Sequence, residues 1–468
     1  TLILYGMYNS SENNNQHQAK NYSMAGAGSV GYSFSYNPAV KTDVFQTALS
    51  GETNFDFLSL KAEYGFSYST GNNVNQGSRS WNFNFNNASS SDFTDIEHRK
   101  LHPAEVVPLF TDNPDRLADC YLFSLNTLES RVNDRNINAY ANFTIPFKVG
   151  SQIVGNFKFG GAYRTKNRKR DDLVGSQIAE ATYNVALPRI LADSLSWIVK
   201  SANGNVTANG LTDGKVNNFL NGQFNFGNTF NIERLNQLSD TWEKSSEFYY
   251  KQGKDVYLPI FGDISKLGYT QNVAGSMFND QQIHEKYLAA YVMSEINIGK
   301  YLMFLPGVRF EDTRANMKGF YAIPLQYAPP IDDPLPGSDT TAVRSDRFLL
   351  PMVHLRIKPS SKFYIHLAYT QTLSRPDFNA ISPNYFVNTG MAPFVYNSNN
   401  PTMRPERWTN LDAQFVVHSG KAGLLSANLF YKTVNDKIWN RSYQRIKDDP
   451  IIPPFPNTAV VNVYTWEN

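Results

Sequence analysis

Cysteine, charge and long apolar runs are all scarce in this sequence. Cys120 is the single cysteine among 468 residues, so no disulfide bond forms within the chain. Charged residues make up 18% of it, below the roughly 25% of ordinary soluble domains. The mean hydropathy is −0.42, and the absence of any run of about 18 apolar residues excludes a helical membrane protein. A net charge of +2 predicts no polyanionic partner such as a nucleic acid.

Aromatic residues are abundant, at 14%, and many of them alternate with polar residues. Between 363 and 370 every second side chain is apolar or aromatic: Phe363, Ile365, Leu367 and Tyr369. A period of two predicts a β-strand with one apolar and one polar face. The same period recurs at 408–419 and 423–436.

The alternation predicts about twelve strands along the chain. They lie near 1–9, 42–52, 57–70, 135–147, 152–168, 284–298, 301–313, 344–358, 361–373, 408–419, 423–436 and 458–468. Every second connection is short: Thr53–Asp56, Lys148–Ser151, Gly299–Lys300, Pro359–Ser361 and Ser419–Ala422. The others are long: 10–41, 71–134, 169–283, 314–343, 374–407 and 437–457.

Short turns at one end and long loops at the other are typical of outer-membrane barrels. The sequence therefore predicts an all-β fold, an antiparallel meander forming part of a large transmembrane β-barrel with long external loops. Only a closed barrel satisfies every backbone polar group of a sheet within a bilayer. A half-buried sheet of a soluble β-protein shows the same alternation and is the alternative interpretation.

Three short motifs occur at predicted strand ends: Gly307–Glu311 (GVRFE), Thr372–Phe378 (TLSRPDF) and Asn400–Glu406 (NPTMRPE). With them the chain resembles the central and C-terminal barrel portion of a TonB-dependent outer-membrane receptor of the Bacteroidetes type, most clearly over residues 284–440. The resemblance implies a barrel of about 22 strands around an N-terminal plug. Residues 1–468 are then a single partial barrel domain, with the plug and the closing strands absent from this chain.

The resemblance also implies a function in the bacterial outer membrane. Such receptors import a scarce nutrient by TonB-coupled active transport, with outer-membrane lipid and, through the plug, the TonB–ExbB–ExbD system as partners. Some relatives also pair with a SusD-like surface lipoprotein. The imported substrate is not readable, because siderophore, glycan, peptide and vitamin importers share these motifs. A passive or scaffold barrel in a larger outer-membrane assembly is the alternative.

No set of residues predicts an enzyme, and no catalytic, cofactor or metal residue is assigned. Gly26–Gly31 matches G-x-G-x-x-G, but an alternating strand pattern follows it rather than the helix that a phosphate site needs. His284–Glu285 lacks the second histidine of a zinc-protease helix. The basic run Lys166, Arg168, Lys169 and Arg170 is interpreted either as a contact with lipid-sugar phosphates or as a solvated strand end.

Two histidines are expected to meet. If Pro359–Ser361 forms a turn, His354 and His366 are directly opposed on adjacent strands, close enough to share one metal ion. His418 follows on the next strand. Polar lining of the lumen is the preferred interpretation, because no complete ligand set is present.

The long loops contain two further features. The aromatic residues Trp81, Tyr385, Phe386, Phe394 and Tyr396 either stack on a sugar or peptide ligand or pack the loops. Within 169–283, near-helical spacing predicts a surface helix packed on its own loop, with a substrate lid or a lipoprotein docking site as alternatives. The residues that carry this spacing are Leu235, Leu238, Trp242 and Tyr249.

The ends of the chain carry the last expectation. The first residues, Thr1–Tyr5, are too short for a signal-peptide core and lack a basic lead. The chain opens in what reads as the middle of a strand, and Val460–Trp466 reads as the start of another. We expect an open partial wall in which strand 1–9 forms no ladder with strand 458–468.

Overall fold

The computed structural model describes residues 1–22, 30–85, 100–102, 105, 117, 120–178, 195–198, 206–216, 221, 227–251, 270–271, 278–322, 337–388, 393–419, 423–445 and 460–468. The strands, numbered in chain order, are β1 (Leu2–Tyr22), β2 (Val30–Phe55), β3 (Leu60–Phe85), β4 (Cys120–Val149), β5 (Ile153–Ile178), β6 (Thr212–Val216), β7 (Gly227–Phe230), β8 (Thr270–Gln271), β9 (Gln281–Ile298), β10 (Leu302–Ala322), β11 (Gly337–Ser360), β12 (Phe363–Ser374), β13 (Tyr385–Asn388), β14 (Phe394–Ser398), β15 (Glu406–Ser419), β16 (Gly423–Asn435), β17 (Trp439–Arg445) and β18 (Val461–Glu467). The helices are α1 (Ile232–Lys251) and α2 (Phe378–Ile381), and a 3-10 turn spans Phe57–Ser59.

Most of the described strands form one antiparallel path in chain order. Its sequence is β1-β2-β3-β4-β5-β9-β10-β11-β12-β15-β16, and we call this path the wall. Each wall strand is antiparallel to its neighbours. The predicted all-β antiparallel meander is therefore confirmed. Among the described strands, β1 pairs only with β2 and β16 only with β15, so the wall is an open sheet.

The strand predicted near 458–468 exists, but its expected place in the wall is wrong. β18 pairs with β14 and β17, so the prediction that strand 1–9 forms no ladder with it is confirmed. Val461 and Val463 are fully buried there and pack in a small apolar cluster with Val387 and Tyr396. The alternation of β18 is therefore that of a half-buried strand in a second layer. We call β13, β14, β17 and β18 the loop layer.

The wall strands extend well beyond their predicted outer ends. β4, predicted at 135–147, spans Cys120–Val149, and β1, predicted at 1–9, spans Leu2–Tyr22. The described parts of the predicted long connections 10–41 and 71–134 are therefore largely strand. Residues 10–18 of β1 are polar on both faces, and residues 120–123 of β4 are all apolar or aromatic, so the period of two that reveals a half-apolar strand is not visible in either segment.

The short connections all lie at one end of the wall. Within the described ranges they join β2 to β3, β4 to β5, β9 to β10, and β11 to β12. Gly150 (φ +62°) and Gly299 (φ +55°) occupy two of these turns in the left-handed conformation that glycine adopts without strain. The predicted separation of short turns from long connections is confirmed.

The two faces of the wall differ in chemistry. One face presents exposed apolar side chains, such as Leu288 (51% exposed) and Leu349 (61% exposed), and register aligns these residues from strand to strand. On β10 this apolar stretch runs from Leu302 to Phe310, about the nine residues that span a bilayer at a tilt. We call this face the exterior, the opposite face the lumen face, and the apolar stretches 137–149, 153–163, 288–298, 302–310, 349–357, 363–369 and 411–417 the apolar band.

Helix α1 packs on the outer ends of β2, β3 and β4. Leu235 and Leu238 are fully buried there in one cluster with Trp81. The Trp81 indole N–H donates to the Ser239 hydroxyl at 3.0 Å, and Arg79 forms a salt bridge with Asp240 at 2.5 Å. Among the described residues, no helix is both long enough and apolar enough to cross a membrane.

Candidate functional site

The connection between β12 and β15 folds onto the end of the wall. Asp377 caps α2, accepting a hydrogen bond from the Asn379 backbone N–H at 2.7 Å, as helix N-caps do. β13 then runs parallel to β10, with Tyr385 paired to Tyr321, and β14 runs parallel to β18. Backbone hydrogen bonds therefore fix the loop layer to the wall.

Three tyrosines link the wall to the loop layer. The rings of Tyr321 and Tyr385 are nearly parallel, 7° apart, with centroids separated by 5.0 Å. The Tyr396 ring lies 6.0 Å from that of Tyr385. Burial raises the pKa of the Tyr385 hydroxyl, so this group stays protonated at neutral pH. We call these residues the tyrosine stack, and their aromatic faces and hydroxyl groups suit a ring-shaped ligand.

Glu311, on the lumen face of β10, is the centre of a charged cluster. Its carboxylate accepts hydrogen bonds from Arg309 Nε, Arg375 Nη2 and the Tyr287 hydroxyl, each at 2.7 Å. The Glu311 side chain is only 9% exposed. Removal of a carboxylate held in this way leaves its cationic partners uncompensated in a poorly solvated site.

The cluster extends along the lumen face around Tyr287. The guanidinium groups of Arg164 and Arg375 lie 5.0 Å and 5.2 Å from the centroid of its ring, within the range of a cation–π interaction. Arg164 also forms a salt bridge with Glu285 at 3.4 Å. We call Arg164, Glu285, Tyr287, Arg309, Glu311 and Arg375 the lumen cluster. Its arginines outnumber its glutamates, so it presents net positive charge to the lumen.

A cavity of about 430 Å³ lies beside the lumen cluster. Its lining combines the charged groups of Arg309, Glu311 and Arg375 with Tyr291, Met293, Leu350, Met352 and Thr370. The absence of a side chain at Gly307 leaves space for this cavity, because a Cβ at that position would lie 2.9 Å from the Met293 Cβ. An apolar cavity with a few converging polar groups is the usual form of a small-molecule site.

The third sequence motif holds the loop layer in place. The Asn400 side-chain amide donates to the Trp466 carbonyl at 2.9 Å. Glu406 accepts hydrogen bonds from the Ile438 backbone N–H at 2.9 Å and from the Trp408 indole N–H at 3.0 Å. The Ile438 N–H, the largest influence on this group, lowers the pKa of the Glu406 carboxyl. Asn400 and Glu406 therefore have a structural role.

Comparison with protein families decides the identity of this wall. The family model described as TonB dependent receptor-like, beta-barrel, matches residues 119–467. The chain belongs to the TonB-dependent receptors. The predicted family, the outer-membrane location and the absence of an enzymatic role are thereby confirmed, since this is a family of outer-membrane receptors. The Bacteroidetes type stays a prediction.

Solved receptor structures resemble this chain in outline. The ferric-catecholate import receptor Fiu of E. coli, in its closed form, is 10% identical, and the match covers 96% of this chain and 58% of Fiu with a TM-score of 0.40. The siderophore receptor PiuA of Acinetobacter baumannii is 11% identical, with 99% and 58% covered and a TM-score of 0.33. The chain thus spans little more than half the length of these receptors. No curated protein matches it in sequence.

The two histidines of the receptor wall meet, but not in the predicted register. His354 is opposite Ala368, and His366 is opposite Arg356, because an irregularity between Ile357 and Ser360 shifts the turn. The rings still stack diagonally, with centroids 5.4 Å apart and His354 Nδ1 3.4 Å from His366 Nε2. No group of three metal-binding side chains occurs among the described residues, which favours the predicted polar lining.

The basic run of β5 is divided between the two faces of the receptor wall. Lys166, Arg168 and Arg170 are on the lumen face, because they alternate in register with exterior residues. There Lys166 lies over the Phe378 ring at 4.7 Å, and Arg170 forms a salt bridge with Asp172 at 2.7 Å. Of the four residues, only Lys169 faces the exterior.

The remaining predicted residues are distributed over several places. Trp81 is fully buried under α1, so the loop-packing interpretation holds for it. Tyr385 and Tyr396 are in the tyrosine stack. The ring centroids of Phe386 and Phe278 are 6.3 Å apart. Phe394 packs against the apolar cluster of the loop layer. The predicted helix is α1, but it packs on the wall rather than only on its own loop. The side chains of Trp242 and Tyr249, and residues 26–29, are outside the described residues.

Proposed function

We propose that this chain is the wall of an outer-membrane receptor that imports a scarce nutrient by TonB-coupled active transport. The observation that carries the proposal is the lumen cluster. Arg309 and Glu311 come from one sequence motif and Arg375 from another, and they converge on the lumen face beside a cavity. Ionisable groups held by several partners inside a membrane protein mark a functional pathway.

The proposed route of the nutrient begins at the loop layer. The tyrosine stack offers aromatic faces where the wall meets the loop layer, and such faces bind the planar or ring-shaped parts of a ligand. The net positive charge of the lumen cluster favours an anionic or strongly polar nutrient. A plug inside the barrel, contacted by TonB with ExbB and ExbD, would supply the energy, and a SusD-like lipoprotein is the further proposed partner at the external loops.

An uptake experiment on the whole receptor tests the proposal. Cells that make the full-length protein are supplied with labelled ferric siderophores, vitamins, peptides or oligosaccharides, with and without a functional TonB system. We expect at least one compound to bind in both strains and to accumulate only where TonB is active. Equal accumulation in both strains would support a passive barrel, and no binding of any compound would support a scaffold role.

A further inference from the structure

The loop layer and the top of β10 form one small sheet. β13 pairs with β10, β14 with β13, β18 with β14, and β17 with β18. Tyr321 is on the lumen face of β10 and is paired with Tyr385, so one face of the loop layer continues the lumen face of the wall. We call it the inner face. It carries aromatic residues and valines on β13, β14 and β18, and it carries Arg441 and Arg445 on β17.

Arg445 is a buried cation whose charge is not compensated within the described part of the chain. It is only 5% exposed, its Nε and Nη1 have no hydrogen-bond partner, and no salt bridge joins it to a described carboxylate. The other buried charged residues of the described ranges are Asp172, Glu285 and Glu311, and each forms a salt bridge with an arginine. Burying a charge without a counter-charge is strongly unfavourable, so an anion bound at Arg445 would stabilise the folded chain.

Arg441, four residues earlier on the same face of β17, is a compensated arginine. It forms a salt bridge with Glu467 at 2.6 Å and is 47% exposed. Its guanidinium also lies 4.6 Å from the centroid of the Tyr443 ring. The two arginines share a strand and a face, but only Arg445 is both buried and left without a counter-charge.

The unpaired atoms of Arg445 indicate which anion fits. Nε and Nη1 are on different edges of the planar guanidinium, so they need two acceptor atoms. One uncompensated cation balances one negative charge, which is the charge of a carboxylate, whereas a phosphate monoester carries nearly two at neutral pH. Arg445 therefore fits a carboxylate that has a further oxygen acceptor beside it.

The inner face is apolar and aromatic away from Arg445. Val461 is directly opposite Arg445 and separates it from Phe394 in the same row. Tyr385 and Tyr396 of the tyrosine stack are on β13 and β14. Three strand spacings of about 4.8 Å separate β17 from β13, so the cation and the far end of the stack are about 14 Å apart. The face thus matches a ligand with a carboxylate at one end and an aromatic group at the other.

We propose that the imported nutrient carries a carboxylate that binds Arg445 and an aromatic group, about 14 Å away, that binds the tyrosine stack. This inference rests on the proposed import function and names the chemical class of its substrate. The surrounding valines exclude water, which strengthens the hydrogen bonds between guanidinium and carboxylate. Arg445 then determines specificity, because a nutrient with a neutral group at that end leaves the buried guanidinium unpaired.

Calorimetric binding to the purified full-length receptor tests the proposal without any TonB system. The probes are N-acetyl-Phe-Ala-Ala-Ala and its C-terminal amide, together with an ω-phenyl fatty acid of similar length and its amide. The peptide and the fatty acid present the same carboxylate on different bodies, so they distinguish two sources of this chemistry. The variant is Arg445→Met. The control is Arg441→Met, which removes the same charge from the same face of β17.

We expect the wild type and the control to bind at least one acid about tenfold or more tightly than its amide, because only the acid compensates Arg445. Arg445→Met should bind acid and amide equally weakly. Equal binding of acids and amides by the wild type, or a preference for the acid that persists in Arg445→Met, would overturn the proposal. If the preference for the acid holds but TonB-dependent uptake fails, the import function alone is contradicted.

Urea unfolding without ligand separates a binding role of Arg445 from a structural one. Arg445→Met should unfold at the same urea concentration as the wild type or a higher one, because an apolar side chain replaces an uncompensated buried cation. Arg441→Met should unfold at a slightly lower concentration, because it loses an exposed salt bridge. Unfolding of Arg445→Met at a clearly lower concentration than Arg441→Met, or its failure to assemble, would show that the guanidinium is held by the protein itself and would overturn the proposal.

Discussion

The apolar band and the wall above it differ in what fixes their strands. In the band, a shift of one residue would turn charged lumen residues toward lipid, so the environment enforces a single register. Above the band the exterior is largely polar and carries ion pairs such as Arg347–Asp312 and Lys318–Asp339, whereas part of the lumen face is covered by α2. Water surrounds the exterior there, so its residue types are less constrained. The band therefore specifies the barrel, and the upper wall with its loop layer carries the contacts that differ between receptors.

The largest effect is expected from loss of the centre of the lumen cluster. Glu311→Ala should destabilise the receptor by about 3–5 kcal/mol, because Arg309 and Arg375 lose their shared carboxylate in a poorly solvated site. Glu406→Ala, which removes a carboxylate with neutral hydrogen-bond partners in the loop layer, should cost about 1–2 kcal/mol. Denaturant unfolding of the purified receptor measures both. Equal losses would contradict the special role of the lumen cluster.

The two faces of the band are compared by arginine substitution. Leu367→Arg and Phe415→Arg, on the exterior near mid-strand, should each cost about 2–4 kcal/mol, because a guanidinium then faces hydrocarbon. Thr370→Arg on the lumen face should cost much less. Reversible unfolding in lipid vesicles gives these values. Similar costs on both faces would mean that the exterior face is not in contact with lipid.

The two heights of one strand provide a closer comparison. Val353 and Val343 lie on the exterior face of β11, in the band and above it, and Val343 is 79% exposed. Val353→Arg should cost about 2–4 kcal/mol, whereas Val343→Arg should change stability by less than about 0.5 kcal/mol. The same unfolding assay applies. A large penalty at position 343 would place the upper wall inside the membrane.

A smaller effect on stability than those of the arginine substitutions in the band is expected in the tyrosine stack. Tyr385→Ala removes its ring contact with Tyr321 and should cost about 1 kcal/mol, while binding of the imported nutrient falls strongly. Tyr464→Ala, an exposed tyrosine of the loop layer outside the stack, is the control and should bind normally. Equilibrium binding to whole cells separates the two variants. Normal binding by Tyr385→Ala would exclude the stack from the nutrient site.

Strands in the apolar band were predictable from the sequence, whereas much of the wall above the band was not. Residues 363–370 predict β12 nearly to its bounds because one of their faces is apolar. Cys120–Asp134 of β4 was predicted as loop because that segment has no such alternation to mark it as strand. The 458–468 strand was recognised, but local alternation does not reveal which sheet a strand joins.

The lumen cluster was predictable only in part. Arg309, Glu311 and Arg375 lie in motifs that the sequence displays, so their importance was foreseeable. Their convergence is a tertiary property, because the segment that follows β12 has to return to β10 although β11 lies between the two strands in the sheet. Arg164 and Tyr287 belong to no motif, and only a lumen-facing position in the alternation of β5 and β9 marks them. The His354–His366 contact was foreseen, but its register depended on the irregularity near Ser360.

Depth measurement along β11 tests the central claim that only the lower part of this wall crosses the membrane. Nitroxide labels are placed singly at the exterior positions 341, 343, 345, 347, 349, 351, 353, 355 and 357 of the full-length receptor, in a Cys120→Ser background and in lipid vesicles. We predict that labels at 349–357 are accessible to oxygen but not to a water-soluble nickel complex, and that labels at 341–347 show the reverse. Accessibility of all nine positions to the nickel complex would contradict the account.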